Sequence, residues 1–355
     1  MATIAENLQT IQNIKQDIKR AIENKGVDMS NTPFTEYSTK IDEITTSGGG
    51  SGTFVIPDGM KFQGSTFSTL PDSLDFSEIT DMSYLFEDCY NLNDGNINTN
   101  SAINMEGLFA YCYNMITAPE LKTSKVTNMR KMFYGGIGNK MKLETVPFYD
   151  TTNVTDMSMM FYYCDKLTTI PPFNTSNVTD MGSMFYQCTL LTEIPQLDPS
   201  NVTDIQSMFY LCYNLTEIPQ LDTSNVTNAR YMFNSCTKLT KIPQLNFGSI
   251  TNTTSIFRTS YLTALTDLGG FTNLKVSWSS NFLNRIPNAT VESLMNVINN
   301  LWDWSGNTDG NAPLNDGTIH NFGTSHSLMF GQTNLDKLTA EQVAVATAKG
   351  WTLTA

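Results

Sequence analysis

The residues of this chain that could do chemistry are few, and their spacing withholds most of it. There are two histidines, His320 and His326. Neither has a carboxylate or cysteine cluster beside it in sequence, so neither a zinc site nor a general base is expected there. Asp303, Asp309 and Asp316 lie in a Gly/Asn-rich stretch and are candidate calcium ligands, but their spacing fits no EF-hand loop. No nucleophile elbow and no glycine-rich phosphate loop occurs. Glu193 and Glu217 stand 24 residues apart. They are the one carboxylate pair a polysaccharide-cleaving enzyme could draw on, and nothing nearby supports that chemistry. The expectation is a protein that is not an enzyme and needs no cofactor or metal.

What the chain offers in place of a catalytic constellation is repetition. Phe86, Phe109, Phe133, Phe161, Phe185, Phe209, Phe233 and Phe257 follow one another at spacings of 23, 24, 28, 24, 24, 24 and 24 residues. A fixed period in the twenties implies a stacked solenoid whose units cannot bury their apolar faces alone. The six cysteines Cys89, Cys112, Cys164, Cys188, Cys212 and Cys236 each fall three residues after a repeat Phe. Gly136 and Ser260 hold that place in the other copies, so the position reads as a small-residue packing slot with buried free thiols.

Each unit needs elements to position these residues. An Asx precedes every Phe by five residues: Asp81, Asn104, Asn128, Asp156, Asp180, Asp204, Asn228 and Asn252. Such a residue can cap a short helix. Met181, Met184, Phe185, Cys188 and Leu191 form an apolar stripe at helical period. Thr-Glu-Ile-Pro-Gln-Leu then reads as a short strand, lightly paired because of its Pro. The expected fold is an α/β repeat solenoid of about eight coils, each a turn, a two-turn helix and a short strand. Copy three carries an insertion near Gly135 to Gly138, expected as a bulged surface loop.

Two surface rows are candidates for ligand contact. Gln196, Gln220 and Gln244 align with one another, and Glu193 and Glu217 align with Thr169 and Lys241. Tyr134, Tyr162, Tyr186 and Tyr210 follow the repeat Phe. Amide and aromatic rows suit glycan or protein contacts, although stacking identical units produces such rows automatically. Asn153, Asn177, Asn201 and Asn225 each open an Asn-Val-Thr sequon, which the repeat itself accounts for.

Asn177-Val-Thr-Asp-Met-Gly-Ser-Met-Phe-Tyr-Gln-Cys and Leu191-Thr-Glu-Ile-Pro-Gln-Leu-Asp resemble the BspA-like bacterial surface leucine-rich repeats, including the related DUF285 repeats. The resemblance covers roughly residues 70–262 and rests on eight in-register copies. It implies a right-handed leucine-rich-repeat solenoid and a role in adhesion or recognition, with no catalytic residues to carry over.

Outside the repeats, residues 3–24 read as an amphipathic helix through Ile4, Leu8, Ile11, Ile14, Ile18 and Ile22. A second helix begins at Thr32-Pro33. Together they make a helical hairpin over residues 1–46 that could anchor or oligomerise the chain. Residues 47–52, Ser-Gly-Gly-Gly-Ser-Gly, form a flexible linker. Residues 53–262 hold the solenoid with its N-terminal cap. Residues 263–355 form a C-terminal capping region, with a helix over 289–302, a loop over 303–325, a capping box at Thr339 and a final strand at Trp351.

The net charge is −13, which disfavours nucleic acid and anionic membrane. No apolar run reaches the length of a membrane span, and the first residues lack the basic start and apolar core of a signal peptide. Residues 24–41 resemble N-terminal segments of bacteriophage fibre and tail-associated proteins, which implies assembly in the host cytoplasm. The combined expectation is a virion surface protein, head or tail fibre-like. Its residues 1–46 would contact other virion proteins and form a dimer or trimer. Its repeats would bind a bacterial surface glycan or protein. The alternative is a bacterial cell-surface leucine-rich-repeat adhesin.

Overall fold

The structure is a computed structural model. It describes residues 54–56, 59, 61–65, 68, 74–92, 97–253, 255–257, 262–275, 286–314, 319–321 and 325–355, together with 19 and 23. The linker and the positions of Ile4, Leu8, Ile11, Ile14, Ile18 and Ile22 lie outside the described residues.

The molecule is a repeat solenoid, held together by hydrogen bonds that leave one coil and enter the next. The Asx positions build its longest ladder. Asp81, Asn104, Asn128, Asp156, Asp180, Asp204, Asn228 and Asn252 are joined in that order by parallel bridges. Beneath them runs a column of phenylalanines with near-parallel rings, from Phe62 on Phe86 at 5.6 Å to Phe233 on Phe257 at 5.4 Å. All eight repeat Phe side chains are buried.

The expected two-turn helix is absent from the repeat. Within Met181–Cys188, alternate N–H groups leave the coil. Met181 donates to Asp204 O, Ser183 to Gln206 O, Phe185 to Met208 O and Gln187 to Tyr210 O, at 2.7 to 3.1 Å. A helix would send these donors four residues back along its own chain. The remaining bonds close two successive turns, Met184 N–H to Met181 O and Cys188 N–H to Phe185 O. The third residue of each turn, Ser183 at φ 56° and Gln187 at φ 59°, is left-handed, as a type II turn requires. Two four-residue turns in series also point every third or fourth side chain inward. Met181, Met184, Phe185, Cys188 and Leu191 are accordingly buried, as a helical stripe would have been.

The Asx residue is therefore not a helix cap. Its side-chain oxygen accepts from the N–H two residues on, as Asp180 Oδ1 does from Gly182 at 2.7 Å and Asp204 Oδ1 from Gln206 at 2.7 Å. The Thr-Glu-Ile-Pro-Gln-Leu run is not a strand either. Leu191, Ile194 and Leu197 are buried with exposed residues between them. That period of three belongs to polyproline-like chain rather than to a strand. Pro119, Pro147, Pro171, Pro195, Pro219 and Pro243 share one register, so a whole row of ladder donors is missing there.

Regular strands occur at the two ends of the described coils. β1 (Phe54–Val55) pairs in parallel with β2 (Leu74–Asp75). β3 (Lys241–Ile242) and β4 (Leu245–Asn246) pair in parallel with β5 (Asp267–Leu268) and β6 (Phe271–Thr272) respectively. Coil-to-coil bonding runs on past residue 262, through Thr266 N–H to Thr240 O and a Leu274–Leu301 parallel bridge.

The stack is closed by α1 (Val291–Asn299), which Thr290 caps by accepting from Ser293 N. Beyond it the expected loop contains an antiparallel hairpin, β7 (Asn311–Pro313) with β8 (Ile319–Asn321). Asn321 holds it by donating to Asp309 O and Asn311 Oδ1. β9 (His326–Met329), α2 (Gln332–Leu335), α3 (Ala340–Ala348) and β10 (Trp351–Thr354) complete the chain, with β9 and β10 parallel. The capping box at Thr339 and Gln342 is present at the start of α3. No helix among the described residues is long and apolar enough to cross a membrane.

Candidate functional site

Repetition puts each candidate residue into a row along the stack, and the rows differ in what they leave available. The tyrosines form the most ordered one. Tyr134 lies on Tyr162 at 4.8 Å, Tyr162 on Tyr186 at 4.4 Å and Tyr186 on Tyr210 at 4.6 Å, with interplanar angles of 7°, 21° and 10°. Tyr111 abuts Tyr134 edge-on at 5.4 Å and Tyr231 abuts Tyr210 at 6.1 Å. The ring faces therefore cover one another, and only edges and hydroxyls reach solvent. Burial pushes the Tyr162 and Tyr134 phenols up and raises Tyr186 to about 12, with neighbouring phenols adding to the effect. Those three phenols are neutral across the physiological range.

The glutamine row is exposed but half spent. Gln196 Nε2 donates to Gln220 O and Gln220 Nε2 to Gln244 O, both at 2.6 Å. These amides supply, from the side chain, donors that the neighbouring proline row lacks. Asn153, Asn177, Asn201 and Asn225 act similarly, each Nδ2 donating to a carbonyl of the preceding coil. Glu193 and Glu217 are exposed on adjacent coils and enter no ion pair among the described residues, whereas Lys241 in the same row pairs with Asp267 at 3.1 Å.

Beside the glutamines lies an open groove, lined by Phe173, Asn174 and Thr175 from one coil, Gln196 to Pro199 from the next, and Gln220 with Asp222 from a third. Phe173, Leu197 and Pro199 are buried and make its floor. Gln196, Gln220, Asp198 and Asp222 are exposed and make its rim. Asp198 Oδ1 accepts from Ser200 N at 3.1 Å and Asp222 Oδ1 from Ser224 N at 3.0 Å, so both carboxylates are fixed in Asx turns.

Phe148 occupies the glutamine register in the insertion-bearing copy, because Tyr149 packs on Phe133 as Phe173 packs on Phe161. It is 64% exposed, and its ring has no aromatic partner among the described residues. The sequence pattern did not single out Phe148, Asp198 or Asp222. An apolar residue at a register otherwise held by Gln, Glu and Pro was the available signal for Phe148. The insertion itself is the expected exposed bulge, with Ile137 82% exposed.

The remaining candidates are structural. The six thiols are free and buried, and each Sγ–H donates to the carbonyl of the preceding column phenylalanine, as Cys188 does to Phe161 O at 3.2 Å. Burial drives their titration far upward. Asp180 is raised by burial, partly offset by the Gly182 N–H, with Asp156 and Asp204 in the same ladder adding to the rise. Asp303 and Asp309 cap local turns at Ser305 and Asn311; Asp316 is outside the described residues. No group of three or more His, Cys, Asp or Glu is set to hold a metal among the described residues. His326 is stacked on Trp304 at 3.9 Å, with Nδ1 buried and unpartnered, and burial lowers its pKa.

No curated protein matches the chain. Among solved structures, an internalin from Listeria monocytogenes is similar at 15% identity, over 57% of this chain and 66% of its own length, with a TM-score of 0.20. So low a score bears no structural argument. The family described as "Mycoplasma protein of unknown function, DUF285" matches residues 59–138, 136–247 and 191–285. Those segments coincide with the in-register coils of the solenoid, and the chain belongs to the DUF285 family.

Proposed function

We propose that this protein is a binding repeat protein of the bacterial cell surface, an adhesin that acts by contact and carries out no reaction. The observation that supports the reading is the rigid, periodic display along the stack. Rows of exposed side chains stand on a ladder whose coils are hydrogen-bonded to one another, so little conformational entropy is lost when a ligand is bound. Many weak contacts along such a face add up when copies act together. The candidate contact residues are the Gln196, Gln220 and Gln244 rim, exposed Glu193 and Glu217, and the edges of Tyr134, Tyr162, Tyr186 and Tyr210. Residues 1–46 serve in this reading as the anchoring or self-associating end, and residues 263–355 as the cap.

Family membership favours this cell-surface reading over a virion fibre, for which only the resemblance of residues 24–41 speaks. Immunogold labelling of the source culture with antibody to the full chain tests it. Gold on cell envelopes is expected; gold confined to phage particles would hand the protein to the virion reading. Saturable binding of the labelled full chain to bacterial cells is expected in parallel.

A further inference from the structure

The groove has a chemistry narrower than adhesion in general. We propose that it binds a neutral, extended polysaccharide, one sugar ring per coil, whose chain runs along the solenoid axis and ends on Phe148. This rests on the binding reading above and names the ligand class for one part of that surface.

Apart from the Asn174 amide, whose Oδ1 already accepts from Ser176, the atoms left over along the groove are acceptors. Gln196 and Gln220 have committed Nε2 to the ladder and keep Oε1. Asp198 and Asp222 have committed Oδ1 to Asx turns and keep Oδ2. Neither aspartate enters an ion pair among the described residues. A ligand must therefore supply donors at a regular interval, and sugar hydroxyls do so. The interval is that of the coils, bracketed by ring spacings of 4.4 to 4.8 Å in the tyrosine ladder and 5.8 to 5.9 Å in the phenylalanine column of the same coils. Linked pyranose rings laid end to end can place one ring over each rung. The buried floor of Phe173, Leu197 and Pro199 suits the apolar C–H face of a sugar.

Stacking also discriminates between the aromatic residues. A sugar needs an open ring face, and the tyrosine ladder has covered its own. Phe148, one coil beyond the Phe173 end of the groove, has not. Charge selects the polymer. With a net charge of −13 and carboxylates on the rim, an anionic polysaccharide is repelled.

The experiment is calorimetric titration of the full chain with neutral glucose-, mannose- and N-acetylglucosamine-based oligosaccharides of increasing length. Affinity for one series is expected to rise with length and to be insensitive to salt. Phe148→Ala, and separately Asp198→Asn combined with Asp222→Asn, are expected to weaken it by about tenfold or more. Both variants should melt as the parent does, since Phe148 is exposed and Asn174 and Asn246 already occupy the aspartate register. If no oligosaccharide binds while the chain still binds cells, the groove proposal is overturned and adhesion stands. If neither binds, both fall. Sugar binding unchanged in the variants places the site elsewhere and overturns the proposal. Binding of an arginine-rich peptide, lost with salt and without any sugar binding, would replace the polysaccharide as the ligand.

Discussion

Left-handed residues line the turn strip of every coil, and they are where single side chains are under most strain. Ser207 sits at φ 53°, and the same register in another coil is held by Gly107 at φ 59°. Left-handed backbone costs an L-residue about 1–2 kcal/mol, while glycine costs roughly 0.5–1 kcal/mol in lost entropy. Ser207→Gly is therefore expected to stay within about 1 kcal/mol of the parent, and Ser207→Val to lose more than about 2 kcal/mol. Urea midpoints at unchanged slope check this, and equal losses for both would refute it. The Asp180 carboxyl is raised in the fold, so the unfolded chain releases that proton first as pH increases. Stability then falls as pH rises from the ordinary carboxylate value through the folded one, and the deficit persists at neutral pH. Asp180→Asn removes the deficit and adds a donor of the kind Asn228 presents to Asp204 at 2.9 Å. A gain of up to about 1 kcal/mol at pH 7, after solvent screening, with none at pH 3, is the expected result. Thermal melts at the two pH values decide it, and a gain of the same size at both would exclude the carboxylate ladder as its cause.

At the scale of the element, the unit is a paired turn whose hydrogen bonds point outward, and its neighbours complete it. Phe185 stacks on Phe161 at 5.8 Å and on Phe209 at 5.9 Å. Truncation to Ala opens a cavity shared by three coils and is expected to cost about 3–5 kcal/mol. Because alternate N–H groups of each coil are bonded to the next, the damage should spread. Native-state hydrogen exchange is expected to show lost protection in the coils of Phe161 and Phe209 as well as in that of Phe185. Loss confined to one coil would show that the column does not couple them.

For the whole molecule, the consequence of a solenoid is that its ends must be closed. Here the C-terminal segment does so. α1 covers the last ladder, and Trp351 Nε1 donates to Trp302 O at 2.8 Å to tie the final strand down. Removing residues 286–355 would uncover Leu268, Phe271 and Leu274, all buried in the intact chain, together with unpaired backbone groups. The truncated protein is expected to aggregate or associate, as light scattering would reveal. A monomeric, folded product would mean that the stack closes itself.

The primary sequence by itself determined the period, the inward positions and the rows. A 24-residue recurrence of Phe, Cys and Asx can be read without coordinates, because each copy must present the same atoms to the next. It also located the capping box at Thr339 and the packing slot of the cysteines. Only the tertiary structure decided how the backbone runs between those points. Two turns in series and a helix bury the same residues at the same spacing, so Met181, Phe185 and Cys188 could not distinguish them. The distinction lies in where the N–H groups go, and that depends on having a neighbouring coil within hydrogen-bonding reach. The same holds for function. Tyr186 and Phe148 are both aromatic on the page, but stacking in three dimensions closes the faces of one and leaves the other open.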